Sequence, residues 1–183
     1  IGPEVMGALE VTKGIELTED EERIFWNIFQ AQNPDLSNRA RYPAQVDSII
    51  EAKRQTGSRI NILDIGCGPD GVAISKIKIK YGEAIEAHGL DLSINHAGQH
   101  PGVNLEQGNL RSMPFLDETF VVAYESGVLV YAHNEAKLRK SFQEITRILK
   151  PGGQFVFSYK IFNGYLASSA FRILKEYGSE FRL

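Results

Sequence analysis

The sequence predicts one α/β domain: a doubly wound parallel sheet with helices on both faces, preceded by helices of its own. Three observations carry this. From Ile60 onward, short apolar strands alternate with helical stretches; Ile62-Leu63 and Val121-Val122-Ala123 are apolar at consecutive positions; and Gly66, Gly68 and Gly71 stand where the first strand turns into a helix. Alternation requires right-handed crossovers between parallel strands, and unbroken apolar runs are what strands covered on both faces need.

Taken in order, residues 1–17 are Gly-punctuated and read as an N-terminal arm. Thr18 followed by Glu19, Asp20, Glu21 and Glu22 is a capping box with acids suited to a helix N-terminus, and Ile24, Phe25, Ile28 and Phe29 recur at helical spacing, so 19–31 is an amphipathic helix. A loop from Asn33 to Tyr42 leads to Pro43, which suits the first turn of a helix over 43–56 that buries Val46, Ile49 and Ile50 and stops at Gly57. Strands follow at 60–65, 85–91, 103–106, 120–124 and 154–161. Helices are expected at 72–81, burying Ile74, Ile77 and Tyr81, at 135–149, burying Leu138, Phe142, Ile145 and Leu149, and at 165–177, burying Leu166, Phe171 and Leu174. Lys76, Lys78 and Lys80 read as a solvated face, and Pro151-Gly152-Gly153 as a turn. The domains are therefore an arm over 1–17, helices over 18–57 that cap the site, and the sheet domain over 58–183.

Composition narrows the function classes. The 183 residues hold 20 Lys+Arg against 23 Asp+Glu, a formal charge of −3, which gives no electrostatic footprint for nucleic acid. Glu125 interrupts the longest apolar candidate, Phe120 to Ala132, far short of the roughly 20 residues a bilayer span needs. The single Cys67 forms no internal disulfide and fits a reducing, cytoplasmic setting. No basic-then-apolar leader is present, and a start at Ile1 rather than Met points to processing, trimming or a longer parent chain.

Ligands of such sheets bind at the carboxyl ends of the strands, where strand order reverses. Asp64-Ile65-Gly66-Cys67-Gly68-Pro69-Asp70-Gly71 lies at such an end. Its glycines permit positive φ and close approach, and the helix beyond offers free N–H groups. Asp91 closes the second strand, where a carboxylate accepts hydrogen bonds from ribose hydroxyls. Asp64, two residues before the first glycine, would repel a pyrophosphate but offset an ammonium and a sulfonium in a partly desolvated cleft. S-adenosylmethionine carries both.

The run Ile62-Leu63-Asp64-Ile65-Gly66-Cys67-Gly68-Pro69 resembles the first motif of class I S-adenosylmethionine-dependent methyltransferases. Three further segments resemble theirs in the same order: Gly89-Leu90-Asp91-Leu92-Ser93, Gly108-Asn109-Leu110-Arg111-Ser112-Met113-Pro114-Phe115, and the stretch from Phe142 to Gly153. The likeness covers about 58–160 and lies nearest the branch that acts on small molecules. It implies a Rossmann-like sheet in the order 3-2-1-4-5 and transfer of a methyl group to a small-molecule acceptor. It also implies residue roles. Asp64 would hold the methionine ammonium, Gly66, Cys67 and Gly68 would pass beneath the cofactor, and Asp91 would take the ribose. Leu92 would pack on the adenine, Asn109 would accept its amino hydrogen, the Leu110 N–H would bond a ring nitrogen, and Glu125 would approach the methionine part.

Departures from the family pattern limit this transfer. Asp70 replaces a common glycine and is expected to cap the next helix; Val121 replaces an aspartate; and Tyr131 stands where a histidine is frequent, with His133 two positions on. Methyl transfer mainly requires alignment of acceptor and donor, with a general base for a hydroxyl or an acidic carbon. Tyr131 and His133 are the catalytic candidates, Tyr131 better suited to a pocket wall than to a base, with His88 and His96 farther off near the second strand. No metal is expected.

The family usually ends in a further pair of strands, and little sequence follows Ile161. The fifth strand would then be a bare edge, a pairing liability unless a second copy, a partner chain or the arm covers it. The competing reading is accordingly a non-catalytic or incomplete cofactor-binding subunit that needs a partner chain. A nicotinamide-dependent oxidoreductase is a distant third, disfavoured by Asp64.

Overall fold

The computed structural model describes residues 17–32, 42–55, 57–95, 100–132, 134–157 and 172–173. In chain order the elements are α1 (Glu19–Gln32), α2 (Ala44–Arg54), β1 (Ile60–Ile65), α3 (Val72–Tyr81), β2 (Ile85–Asp91), β3 (Val103–Gln107), β4 (Phe120–Glu125), α4 (Glu135–Ile148) and β5 (Leu149–Val156). The strands form one sheet in the order β3-β2-β1-β4-β5, with every neighbouring pair parallel. This is the expected Rossmann-like arrangement. Strand order reverses between β1 and β4, and sheets of this kind bind their ligands at the carboxyl ends beside such a reversal.

Each face of the sheet carries its own core. Leu63, Ile65, Leu90 and Ala123 pack with Leu138, Phe142, Ile145 and Ile148 of α4, and with Ile173. On the other face Ile62, Ala87, Val122 and Tyr124 pack with Val46 and Ile50 of α2 and Ile74 and Ile77 of α3. Side-chain alternation along β1 sends Ile62 and Asp64 to the α2/α3 face and Leu63 and Ile65 to the α4 face. Both kinds are buried, as the unbroken apolar run required.

The capping box forms as read. Thr18 donates its backbone N–H to Glu21 Oε2 at 2.8 Å, and the Glu21 N–H donates to Thr18 Oγ1 at 3.3 Å. Three local expectations change. Leu149 opens β5 rather than closing α4, and Pro151-Gly152-Gly153 lies in an irregularity inside β5: Phe120 pairs with Leu149 but Val122 pairs with Gln154. Proline has no N–H for a ladder and Gly152 adopts φ +72°, so the chain bulges there instead of turning away. Lys78 is not part of a solvated face. Its ammonium folds back onto the Gly82 and Ile85 carbonyls at 2.9 and 3.1 Å, closing the end of α3. Most of the arm, the Asn38–Arg41 stretch, His96, His133, the strand beyond Phe157 and nearly all of the 165–177 helix lie outside the described residues.

Candidate functional site

Register brings the two key acids together. Asp64 pairs with Gly89 of β2 and with Tyr124 of β4, so Asp64, Tyr124 and Asp91, two residues beyond Gly89, face the same side at the carboxyl end of the sheet. Glu125 pairs with Ile65 and faces the other side.

The glycine loop is stapled to β2. The Gly66 and Cys67 N–H groups donate to the Leu90 carbonyl at 2.7 and 3.1 Å, and the Gly68 N–H donates to Asp91 Oδ2 at 2.9 Å. Asp91 Oδ1 accepts the Ser93 N–H at 3.0 Å. The first two loop glycines serve different needs. A Cβ on Gly66 would lie 1.8 Å from Val128 Cγ2, so here the close approach is made by the chain's own valine; a Cβ on Gly68 would meet nothing within 4 Å. Open space therefore lies over Gly68. Cys67 turns inward against Gly89, where a Cβ would sit 2.7 Å from its sulfur. Burial first, then the charges of Asp64 and Asp91, push its thiol far up, so it packs as a small apolar residue.

Asp64 is 2% exposed, and its Oδ2 makes no hydrogen bond among the described residues; the buried Tyr124 hydroxyl also lacks one. Burial pushes the Asp64 carboxyl up to about 7. The Tyr124 phenol opposes the shift, while the charges of Asp91 and Glu125 add to it. Asp91 is raised to about 6, again by burial, against the donors Ser93, Gly68, Gln30 and Leu92. Burial disfavours the charged form of both acids on this face, and a nearby positive charge would favour it.

The remaining expected residues separate into groups. Asn109 is buried, and its side-chain oxygen already accepts the Arg111 N–H at 2.9 Å, shaping the turn after β3 beside buried Leu110. Leu92 is half-buried just beyond Asp91. Glu125 Oε2 accepts the N–H groups of Gly127 and Val128, each at 2.7 Å, and so organises the turn that carries Val128 over Gly66. Tyr131 ends the short 3-10 turn Leu129–Tyr131 and meets Trp26 edge to face at 4.4 Å; burial raises its phenol. His88 sits edge-on to Phe115 and Phe120 at the opposite face from Asp64, and burial lowers its pKa. Asp70 does not cap α3: Gly71 is the N-cap, and Asp70 accepts from the Asn95 side chain at 3.1 Å.

Several residues of the site escaped the sequence reading. Glu22 of α1 is 8% exposed and holds Arg111 at 2.5 Å and Lys137 at 3.0 Å, which ties α1 to the turn after β3 and to α4. Trp26 and Gln30 of the same helix reach Tyr131 and Asp91. In the sequence Trp26 is one more aromatic residue beside the apolar positions of 19–31, Glu22 is one of four first-turn acids, and Tyr124 is a lone hydroxyl in an apolar strand.

An orphaned buried carboxylate oxygen, a second acid on the same face and open space above Gly68 fit a ligand with an ammonium at one end and hydroxyls at the other. The residues present thus fit S-adenosylmethionine.

A family model described as a methyltransferase domain matches residues 63–157. The biotin biosynthesis bifunctional protein BioHC of Teredinibacter turnerae is 29% identical over 159 residues, 78% of this chain and 27% of that protein. Sterol 4-C-methyltransferase strm-1 of Caenorhabditis elegans is 32% identical over 117 residues, 58% of this chain and 33% of that one. A solved S-adenosylmethionine-dependent methyltransferase from Mesorhizobium loti is 28% identical, with a TM-score of 0.43 over 55% of this chain and 46% of its own. The matched regions are thus only 27% and 33% of the two curated relatives' lengths.

Proposed function

The chain belongs to the methyltransferase domain family, whose methyl donor is S-adenosylmethionine, and we propose that it transfers that methyl group to a small-molecule acceptor from the crevice between β1, β2 and β4. The observation that carries the reading is the buried Asp64, without a hydrogen bond at Oδ2, on the same face as Asp91 beside the open Gly68. When bound, the cofactor supplies an activated methyl on a sulfonium, so the protein's work is binding and alignment. Asp64 holds the ammonium and Asp91 the ribose hydroxyls, while Gly66, Cys67 and Gly68 form the floor. Leu92, Asn109 and Leu110 make the adenine side. Glu125 acts at the methionine end by fixing the turn that carries Val128. Tyr131 and Trp26 wall the acceptor side and exclude water, as two packed aromatic rings do. His133 is the proposed proton acceptor where the acceptor is a hydroxyl or an acidic carbon.

The small-molecule acceptor is supported by relatives named for sterols. Among the described residues no helix is long and apolar enough to cross a membrane. A cytoplasmic setting, the absence of nucleic acid among the partners, and a second copy or partner chain on the β5 edge belong to the same proposal. Helices α1 and α2 act as its cap.

Calorimetric titration with S-adenosylmethionine and its demethylated product tests the site. Both bind the intact protein. Asp91→Ala weakens both by about 10- to 100-fold, the loss expected for hydrogen bonds to a charged group. Unchanged affinity would remove Asp91 from the site, and binding without turnover across small acceptors would favour the non-catalytic subunit.

A further inference from the structure

Tyr124 has no role in the binding scheme above, yet its surroundings are unusual. It is fully buried in β4, and its hydroxyl has no hydrogen-bond partner among the described residues. The neighbouring strand places Asp64 directly opposite, on the same face, equally buried and with an equally unpartnered oxygen. A buried hydroxyl without a partner costs about 1–3 kcal/mol, and phenylalanine would fill the same volume without that cost. A hydroxyl at such a position can repay that cost in a state where its neighbour needs a donor. Resting on the reading of Asp64 as the ammonium-binding residue, we propose that Tyr124 is its positioning residue: the phenolic O–H donates to the Asp64 carboxylate in its ionised form and fixes the direction in which the other lone pairs meet a cationic ligand.

The chemistry is a proton equilibrium. Protonated Asp64 gives its proton to solvent when a primary ammonium arrives, and the Tyr124 O–H stays protonated throughout because burial and the adjacent carboxyl hold the phenol well above its ordinary range. The groups that share the face of Asp64 are Asp91 from β2 and Tyr124 from β4, with Cys67 of the glycine loop close by, and the charge of Glu125 acts on it from the other side of the sheet. Tyr42, ahead of α2, presents its ring 6.4 Å from that of Tyr124 and is itself held by Asp47. Of these, Tyr124 favours the charged carboxylate, whereas Asp91 and Glu125 disfavour it.

The experiment is a pH titration of the Asp64 carboxyl by carbon NMR in ligand-free wild type and Tyr124→Phe, followed by calorimetry with S-adenosylhomocysteine from pH 6 to 9. Loss of the donor raises the Asp64 midpoint by about one pH unit, which corresponds to a tenfold change in its ionisation equilibrium. Affinity of the variant then falls about tenfold at pH 6.5 and converges on wild type at pH 9, while Asp64→Asn shows no such pH dependence. An unchanged midpoint and an unchanged pH profile in Tyr124→Phe overturn the proposal even where wild type binds. Failure of wild type to bind overturns the ammonium reading and this inference with it. Should the variant not fold, the Tyr124 ring carbon bearing oxygen, followed in wild type, must titrate with the Asp64 midpoint; independent behaviour of the two also overturns it.

Discussion

At the scale of single residues, the two glycines flanking Cys67 separate folding from binding. Both have φ near +75°, a region that side chains occupy at a cost of about 1–2 kcal/mol. They differ in what surrounds them, since Val128 fills the space over Gly66 and nothing does over Gly68. Gly66→Ala is therefore expected to lose about 1–3 kcal/mol beyond the backbone cost, through overpacking against Val128. Gly68→Ala should lose only the backbone cost and show its main effect on cofactor affinity. Urea denaturation of both variants checks this: Val128→Ala restores part of the stability of Gly66→Ala and none of Gly68→Ala, and equal losses in the two would contradict the packing account.

At the scale of elements, α1 is held over the carboxyl end of the sheet by a buried carboxylate between two cations, and by Trp26 against Tyr131. Breaking a buried ion pair on one side strands the remaining charges, so truncation costs more than an exposed pair would. Glu22→Ala is expected to speed amide exchange over 19–32 by at least tenfold while leaving β1 and β4 protected. Uniform loss of protection would mean that α1 belongs to the global core, and no change that Glu22 does not hold it. The helices and strands themselves were legible because the helical period, the consecutive apolar runs of the strands and the Thr18 capping box are written in local order. What pairs with what was not. Thr18 singles out Glu21 as its capping-box partner, but nothing marks Glu22 as the buried one among the first-turn acids, because dipole-complementing acids and a buried ion-pair acid look alike in sequence. Lys78 likewise looked solvated until α3 brought it to the Gly82 and Ile85 carbonyls. Asp64, Gly68 and Asp91 could be read as one site because strand ends and the glycine turn fix where they meet. The turn-building uses of Asn109 and Glu125 depend on loop geometry that no period encodes.

For the whole molecule, this sheet keeps Asp64 in an environment unfavourable to its charge, a cost that the proposed cationic ligand offsets. The sign of the pH dependence follows. An aspartate ionises near 3.9 in an unfolded chain and Asp64 near 7 in the fold, so between those values the folded state binds more protons. The contribution of Asp64 to stability is fully present below the lower value and is lost as pH rises through the higher one. The most direct measurement is thermal unfolding of wild type and Asp64→Asn at pH 5 and pH 8, paired with S-adenosylhomocysteine affinity at pH 8. The variant is expected to gain stability relative to wild type on going from pH 5 to pH 8, by on the order of a few kcal/mol, while its affinity falls by tenfold or more. A variant that loses stability at pH 8, or one that binds as tightly as wild type, would contradict this reading of Asp64.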